Sequence, residues 1–129
     1  MKKKIAILQV NQQGKQNLSD DDTHFAKINA AKNVWWLTIP SHKLSDHICI
    51  HFLLYDCNDK KLYHLEVPCN YFQDHHFIFS IRENEKKDKK FISLELSTDI
   101  SNRFQDVRPG ASQVNFNYFL KDKYEIMLS

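Results

Sequence analysis

Residues 47–55 read His-Ile-Cys-Ile-His-Phe-Leu-Leu-Tyr, and this alternation constrains the fold more than any other stretch. Ile48, Ile50, Phe52 and Leu54 recur at the period of a β-strand and share one face. His47, Cys49, His51, Leu53 and Tyr55 take the other. Asp56-Cys57-Asn58-Asp59-Lys60 is a turn, and Lys61 to Val67 is a returning strand closed by Pro68. Its apolar face is Tyr63, Leu65 and Val67, and its mixed face is Leu62, His64 and Glu66. Antiparallel pairing must match the apolar faces. A two-residue turn at Asn58-Asp59 therefore sets Phe52 opposite Leu65, Ile50 opposite Val67, His51 opposite Glu66 and Leu53 opposite His64.

The rest of the chain is read against this hairpin. Lys4 to Val10 is nearly continuous in apolar residues and suits a short buried strand, followed by a polar loop over 11–17. Ser19-Asp20-Asp21-Asp22 has the chemistry of a helix start, and the helix should run to about Asn33 with Phe25, Ile28 and Ala31 on its buried stripe. Val34 to Ile39 is a strand ended by Pro40. Cys69 to His76 has room for one helical turn. Phe77 to Arg82 and Phe91 to Ser97 are strands joined by the charged loop Glu83 to Lys90. Residues 98–113 are irregular, with a turn at Pro109-Gly110. Phe116, Phe119, Leu120, Tyr124 and Met127 have the spacing of a closing helix capped by Asn115, while the alternation of 114–118 competes as a strand start. Without an internal repeat or linker, residues 1–129 are expected to form a single α+β domain. Its mainly antiparallel sheet should have about five to six strands, with one helix in the N-terminal half and one at the C-terminus.

If sequential strands are neighbours, Trp35, Leu37 and Ile39 meet Phe52, Ile50 and Ile48, and Trp36 falls opposite His51. Phe77, Phe79 and Ile81 match Leu96, Leu94 and Ile92. One sheet face is then built of Ile, Leu and Phe. The other collects Trp36, His47, Cys49, His51, His64, Glu66, Ser80, Arg82, Ser93 and Glu95.

Several function classes are excluded by composition. The chain has two glycines, Gly14 and Gly110, where average usage of about 7% would give roughly nine. Glycine-rich phosphate loops and the G-x-S-x-G nucleophile elbow cannot be assembled from them. No H-E-x-x-H and no paired C-x-x-C occurs, which removes zinc proteases and zinc ribbons. The net charge of +2 is too small to argue for nucleic acid by itself. The lysine clusters 2–4 and 86–90 are read as a solvated terminus and a solvated loop. Three cysteines, an odd number without close spacing, suit a reducing compartment. Ile5-Ala6-Ile7-Leu8 is too short for a signal sequence, and no stretch is long enough to span a membrane. The expectation is a cytoplasmic protein.

The mixed face holds the candidate sites. A carboxylate beside a histidine orients it and raises its basicity, so His51 and Glu66 are the candidate catalytic pair. Trp36, His51, His64, Glu66 and Arg82 form the candidate binding surface, with Trp36 as an aromatic anchor. His47, Cys49 and His51 lie on one strand face, but the outer two are separated by roughly 13 Å, so no metal site is expected. Asp20-Asp21-Asp22 with His24 is explained by helix capping, and no cofactor is implied. The leading expectation is a non-enzymatic binding module for a protein or nucleic-acid partner. A hydrolase or nuclease using His51 and Glu66 is the alternative, and a homo-oligomeric assembly subunit is a third.

Overall fold

A computed structural model describes residues 1–75, 78–79, 81–84, 89–110 and 112–126, with 81–84 and 89 described by their backbone. The fold is α+β, a seven-stranded sheet with three helices. In chain order these are α1 (Lys3–Gln13), β1 (Thr23–Asn29), β2 (Val34–Pro40), α2 (Lys43–Asp46), β3 (Cys49–Asp56), β4 (Lys61–Pro68), α3 (Cys69–Asp74), β5 (Ile81–Asn84), β6 (Lys89–Ser97) and β7 (Leu120–Glu125). Short 3-10 turns occupy Ile100–Asn102 and Phe116–Phe119. Across the sheet the order is β5-β6-β2-β1-β3-β4-β7. Among the described residues, only the β1–β3 pairing is parallel.

From Cys49 onward the central hairpin has the register that its apolar faces demand, whereas Ile48, expected on the core face, lies before β3 and is 90% exposed. Ile50, His51, Phe52 and Leu53 stand opposite Val67, Glu66, Leu65 and His64. The Asp56 carboxylate accepts the amides of Asn58 and Asp59 and so holds the turn. β2 and β6 pair with Leu37 opposite Leu94 and Ile39 opposite Ile92. Ile81 also meets Ile92, as its parity requires. The outer strand begins later than expected: β5 starts at Ile81 and runs into the expected loop, while Ile78 and Phe79 form a turn and Phe79 enters the core without pairing with Leu94, whose partner is Leu37. Phe77 and Ser80 lie outside the described residues, as does Lys86-Lys87-Asp88.

Three further elements take a different form from the one expected. Residues 4–10 are not a strand but the middle of α1. A short apolar run suits either form, and here the helix buries Ala6 and Val10, one turn apart, against Leu53, Tyr55, Leu62 and Tyr124. Ile5 and Leu8 are left exposed. The close approach continues at Gly14, where a Cβ atom would lie 2.1 Å from the Tyr124 hydroxyl.

The expected helix over 20–33 is instead a turn followed by β1. The capping chemistry is real: Ser19 N–H donates to the Asp22 carboxylate, and Asp22 N–H donates to the Ser19 hydroxyl. Such local bonds stabilise turns as well as helix starts. β1 wins because it gives backbone partners to both β2 and β3. It follows that β2 does not pair with β3, and Trp35, Leu37 and Ile39 do not meet the Phe52 strand directly.

The expected closing helix is a 3-10 turn leading into β7. Asn115 does cap the turn, accepting the Asn117 amide. Phe116 then packs on the core face with Phe52 and Phe72, whereas Tyr124 packs on the opposite face with α1. One helix could not serve both sides of the sheet. Met127 lies outside the described residues.

The main core lies on the face of Trp35, Leu37, Ile50, Phe52, Leu65 and Leu94, sealed by Phe72, Phe104 and Phe116. Phe52 is fully buried, its ring 6.0 Å from that of Phe116. Phe52→Ala is expected to cost about 3–5 kcal/mol, as for other emptied aromatic sites. Chemical denaturation would check this, and a loss below about 1 kcal/mol would mean that the core face has been assigned to the wrong side.

Candidate functional site

The second face of the sheet is divided. Over β3, β4 and β7 it is covered by α1; over β2 it stays open at Trp36 and Thr38, while Ser93, Glu95 and Ser97 of β6 are buried beside them. The candidate residues fall into two groups because β1 stands between β2 and β3.

In the covered half, His51 and His64 come together as diagonal neighbours on β3 and β4. His51 Nδ1 lies 2.9 Å from His64 Nε2, and both rings are buried. One nitrogen must carry the proton and the other accept it, so the bond as drawn requires at least one neutral ring. Burial holds His51 below its ordinary range, against the attraction of Asp22 and Glu66. Burial first, then the neighbouring His51 and Lys121, push His64 down to about 4. His64 Nδ1 is buried without a hydrogen-bond partner. Glu66 stands opposite His51 in the ladder, yet its carboxylate pairs with Lys121 Nζ at 3.1 Å. The His51–Glu66 hydrogen bond that a general base would use is not among the described contacts.

The other residues of the H-x-C-x-H stretch turn elsewhere. His47 Nε2 meets the Asp21 carboxylate at 2.7 Å, and Lys43 binds that same carboxylate. These two partners hold Asp21 below the usual carboxylate range. The acidic turn 20–22 is thereby tied to α2. His24, edge-on to Phe52, is pushed to about 4 by burial and then by Lys3 and Lys43. Cys49 stands opposite Pro68, and the Cys69 thiol is pushed up to about 11 by burial. Cys49, Cys57 and Cys69 are all free thiols. Among the described residues, no three His, Cys, Asp or Glu side chains are grouped to hold a metal ion.

In the open half, Trp36 is opposite Glu95, not His51. Its indole is 47% exposed. The ring is fixed by an Nε1–H bond to the Ser93 hydroxyl at 2.9 Å and by Lys32, whose Nζ lies 5.1 Å from the ring centroid. Lys32 also pairs with the buried Glu95 at 3.0 Å. Beside this platform is a cleft of about 410 Å³ lined by Lys32, Asn33 and Val34 with residues 97–99, Ser101 and Asn102. Arg82 is opposite Phe91 on the edge strand, and its side chain lies outside the described residues.

A second cleft, of about 460 Å³, lies on the other face beside β4 and β7, with Tyr63, Phe104 and Leu120 in its wall and Arg103, Asn117 and Lys123 around it. Sequence reasoning did not find these residues. Arg103, Phe104 and Asn117 come from segments without periodicity, and β7 was expected to be helical.

Comparison with known proteins found no family model, curated protein or solved structure that matches this chain.

The buried histidines set a pH dependence. His24 and His64 bind protons near 6.5 when unfolded but only near 4 when folded, and His51 shifts in the same direction. The unfolded state therefore holds more protons in this window, and stability falls as pH drops from about 6.5 to 4. His64 alone accounts for a loss on the order of 3 kcal/mol. Urea unfolding at pH 7.5 and pH 4.5 should show the decline, and His64→Gln should flatten it. Equal stability at the two pH values would show that the rings titrate as exposed groups.

Proposed function

We propose that the chain is a non-enzymatic binding module whose contact surface is the open half of the second sheet face, centred on Trp36. The partner is a protein or single-stranded nucleic acid, met in the reducing cytoplasm that three free thiols suit. No described helix is long and apolar enough to cross a membrane.

The half-exposed Trp36, clamped by Ser93 and Lys32, carries this reading. A large aromatic group already held in one orientation loses little conformational entropy on binding, which is why tryptophan is over-represented among binding hot spots. Catalysis by His51 and Glu66 has less support. His51 Nδ1 faces a buried histidine, and Glu66 is engaged by Lys121.

Trp36→Ala should change unfolding free energy by no more than about 1 kcal/mol. It should weaken partner association by about 2 kcal/mol or more. A labelled single-stranded oligonucleotide titrated at two salt concentrations tests the nucleic-acid arm, since phosphate contacts make binding salt-dependent. Cross-linking in a cell extract tests the protein arm. Tryptophan quenching checks the anchor without a partner. Iodide should quench Trp36 readily in Trp35→Phe and quench the buried Trp35 poorly in Trp36→Phe. Equal protection of the two indoles would remove Trp36 as an anchor.

A further inference from the structure

We propose that the cleft beside β4 and β7 is a binding site for a small organic anion bearing an apolar group. It lies on the opposite side of the sheet from Trp36 and is independent of the proposed binding surface. Its volume, about 460 Å³, is in the range of small-molecule pockets.

The wall is apolar and fixed. Tyr63 and Phe104 are buried, with rings 5.3 Å apart and nearly perpendicular. Phe104 also stacks on Trp35 at 5.6 Å. Leu120, half-buried, completes the wall. Because the two rings are almost fully buried, the apolar surface open to a ligand comes from Leu120 and the exposed Ile100.

Charge is supplied by two cations. Arg103 Nη1 donates to the Tyr63 hydroxyl at 2.6 Å, Arg103 Nε donates to the Thr98 carbonyl at 3.3 Å, and the guanidinium lies over the Tyr63 ring. These partners are neutral, so they orient Arg103 without cancelling its charge. Lys123 stands opposite Tyr63 in the ladder and so shares its side of the sheet. Among the described residues, neither Arg103 nor Lys123 is in an ion pair.

Acidic residues also lie near the cleft. Asp122 borders it, but stands opposite His64 and acts on His64 and Tyr124, which belong to the other face. Asp56 and Asp59 act on Tyr63 from the β3–β4 turn, where the Asp56 carboxylate is taken by the amides of Asn58 and Asp59. Asp99 feels Arg103, but its carboxylate is taken by the amide and hydroxyl of Ser101. The register shift between His64 and Leu65 leaves Lys121 outside the ladder, and its ammonium pairs with Glu66. Arg103 and Lys123 thus present net positive charge beside an apolar wall, with the Asn117 side chain available at the rim.

The test is a titration of the isotope-labelled full chain, followed by amide NMR shifts, with phenyl phosphate and indole-3-acetate as probes. Inorganic phosphate and indole-3-acetamide are the controls. Shifts should cluster in residues 100–104 and 117–123, and each probe should bind at least about tenfold tighter than its control, since a charged contact and the burial of an apolar ring are each worth that much. Arg103→Gln should abolish the preference for indole-3-acetate over its amide. Lys123→Gln, at an exposed position and without an ion pair to lose, should reduce that preference with the spectrum otherwise unchanged. Scattered or absent shifts, an amide that binds as tightly as the acid, inorganic phosphate that matches phenyl phosphate, or a preference surviving in both variants would each overturn the proposal.

Discussion

Seven residues, Thr23–Asn29, join the two parts of the sheet. β1 runs parallel to β3 through Lys27 and then pairs antiparallel with β2 at Ile28 and Asn29. Each backbone group on a strand needs a partner, and without β1 the inner ladders of both β2 and β3 would open. The strand is short in strong β-formers, yet Thr23 and Ala26 are buried and His51 N–H donates to the Asp22 carbonyl at its entry. Its position also decides what the second face can do. It separates Trp36 from His51 by two strand spacings, about 10 Å, so the aromatic anchor and the histidines belong to different environments.

Those environments follow from where α1 lies. Ala6 and Val10 cover Leu53 and Leu62, and the histidine pair is buried on that same sheet face. There the rings are desolvated and lose basicity. Outside the cover, Trp36 and Lys32 face water and Glu95 has its ion pair. Polar residues of the same parity therefore divide into an interior histidine group coupled to stability and a group that borders water around Trp36 and Lys32.

The sequence pattern was most informative where a face is strictly apolar. A slip of one residue in 49–68 would have placed Phe52 and Leu65 on the wrong side, so the register could be read from parity alone. The pattern failed where two forms satisfy the same residues. Ile5-Ala6-Ile7-Leu8 suits a strand or a helix, and Ser19 with Asp22 makes the same bonds in a turn as at a helix start. Trp36 was correctly expected to point away from the core, because Trp35 shares the parity of Leu37. Its neighbours were not, because pairing order depends on β1, whose contacts are remote in sequence. His64 emerges beside His51 only as a diagonal contact, which parity allows but does not single out.

Glycine scarcity has a structural consequence beyond the functions it excludes. Lys15, Asn33, Lys60, Phe104 and Gln113 all adopt positive φ. Lysine and asparagine in turns take this conformation at modest cost, but a bulky aromatic residue is a true outlier. Phe104, at φ 70°, is held there at a penalty of order 1–2 kcal/mol. It persists because its ring is fully enclosed by Trp35 and Tyr63 and its backbone bonds to Ser97 and Phe116. Removing the strain with glycine would remove the ring that seals this end of the core. The same geometry turns the chain so that Arg103 reaches the Tyr63 hydroxyl. The strained residue thus joins the core to the wall of the β4–β7 cleft, and the rigidity of that wall derives from packing on its hidden side.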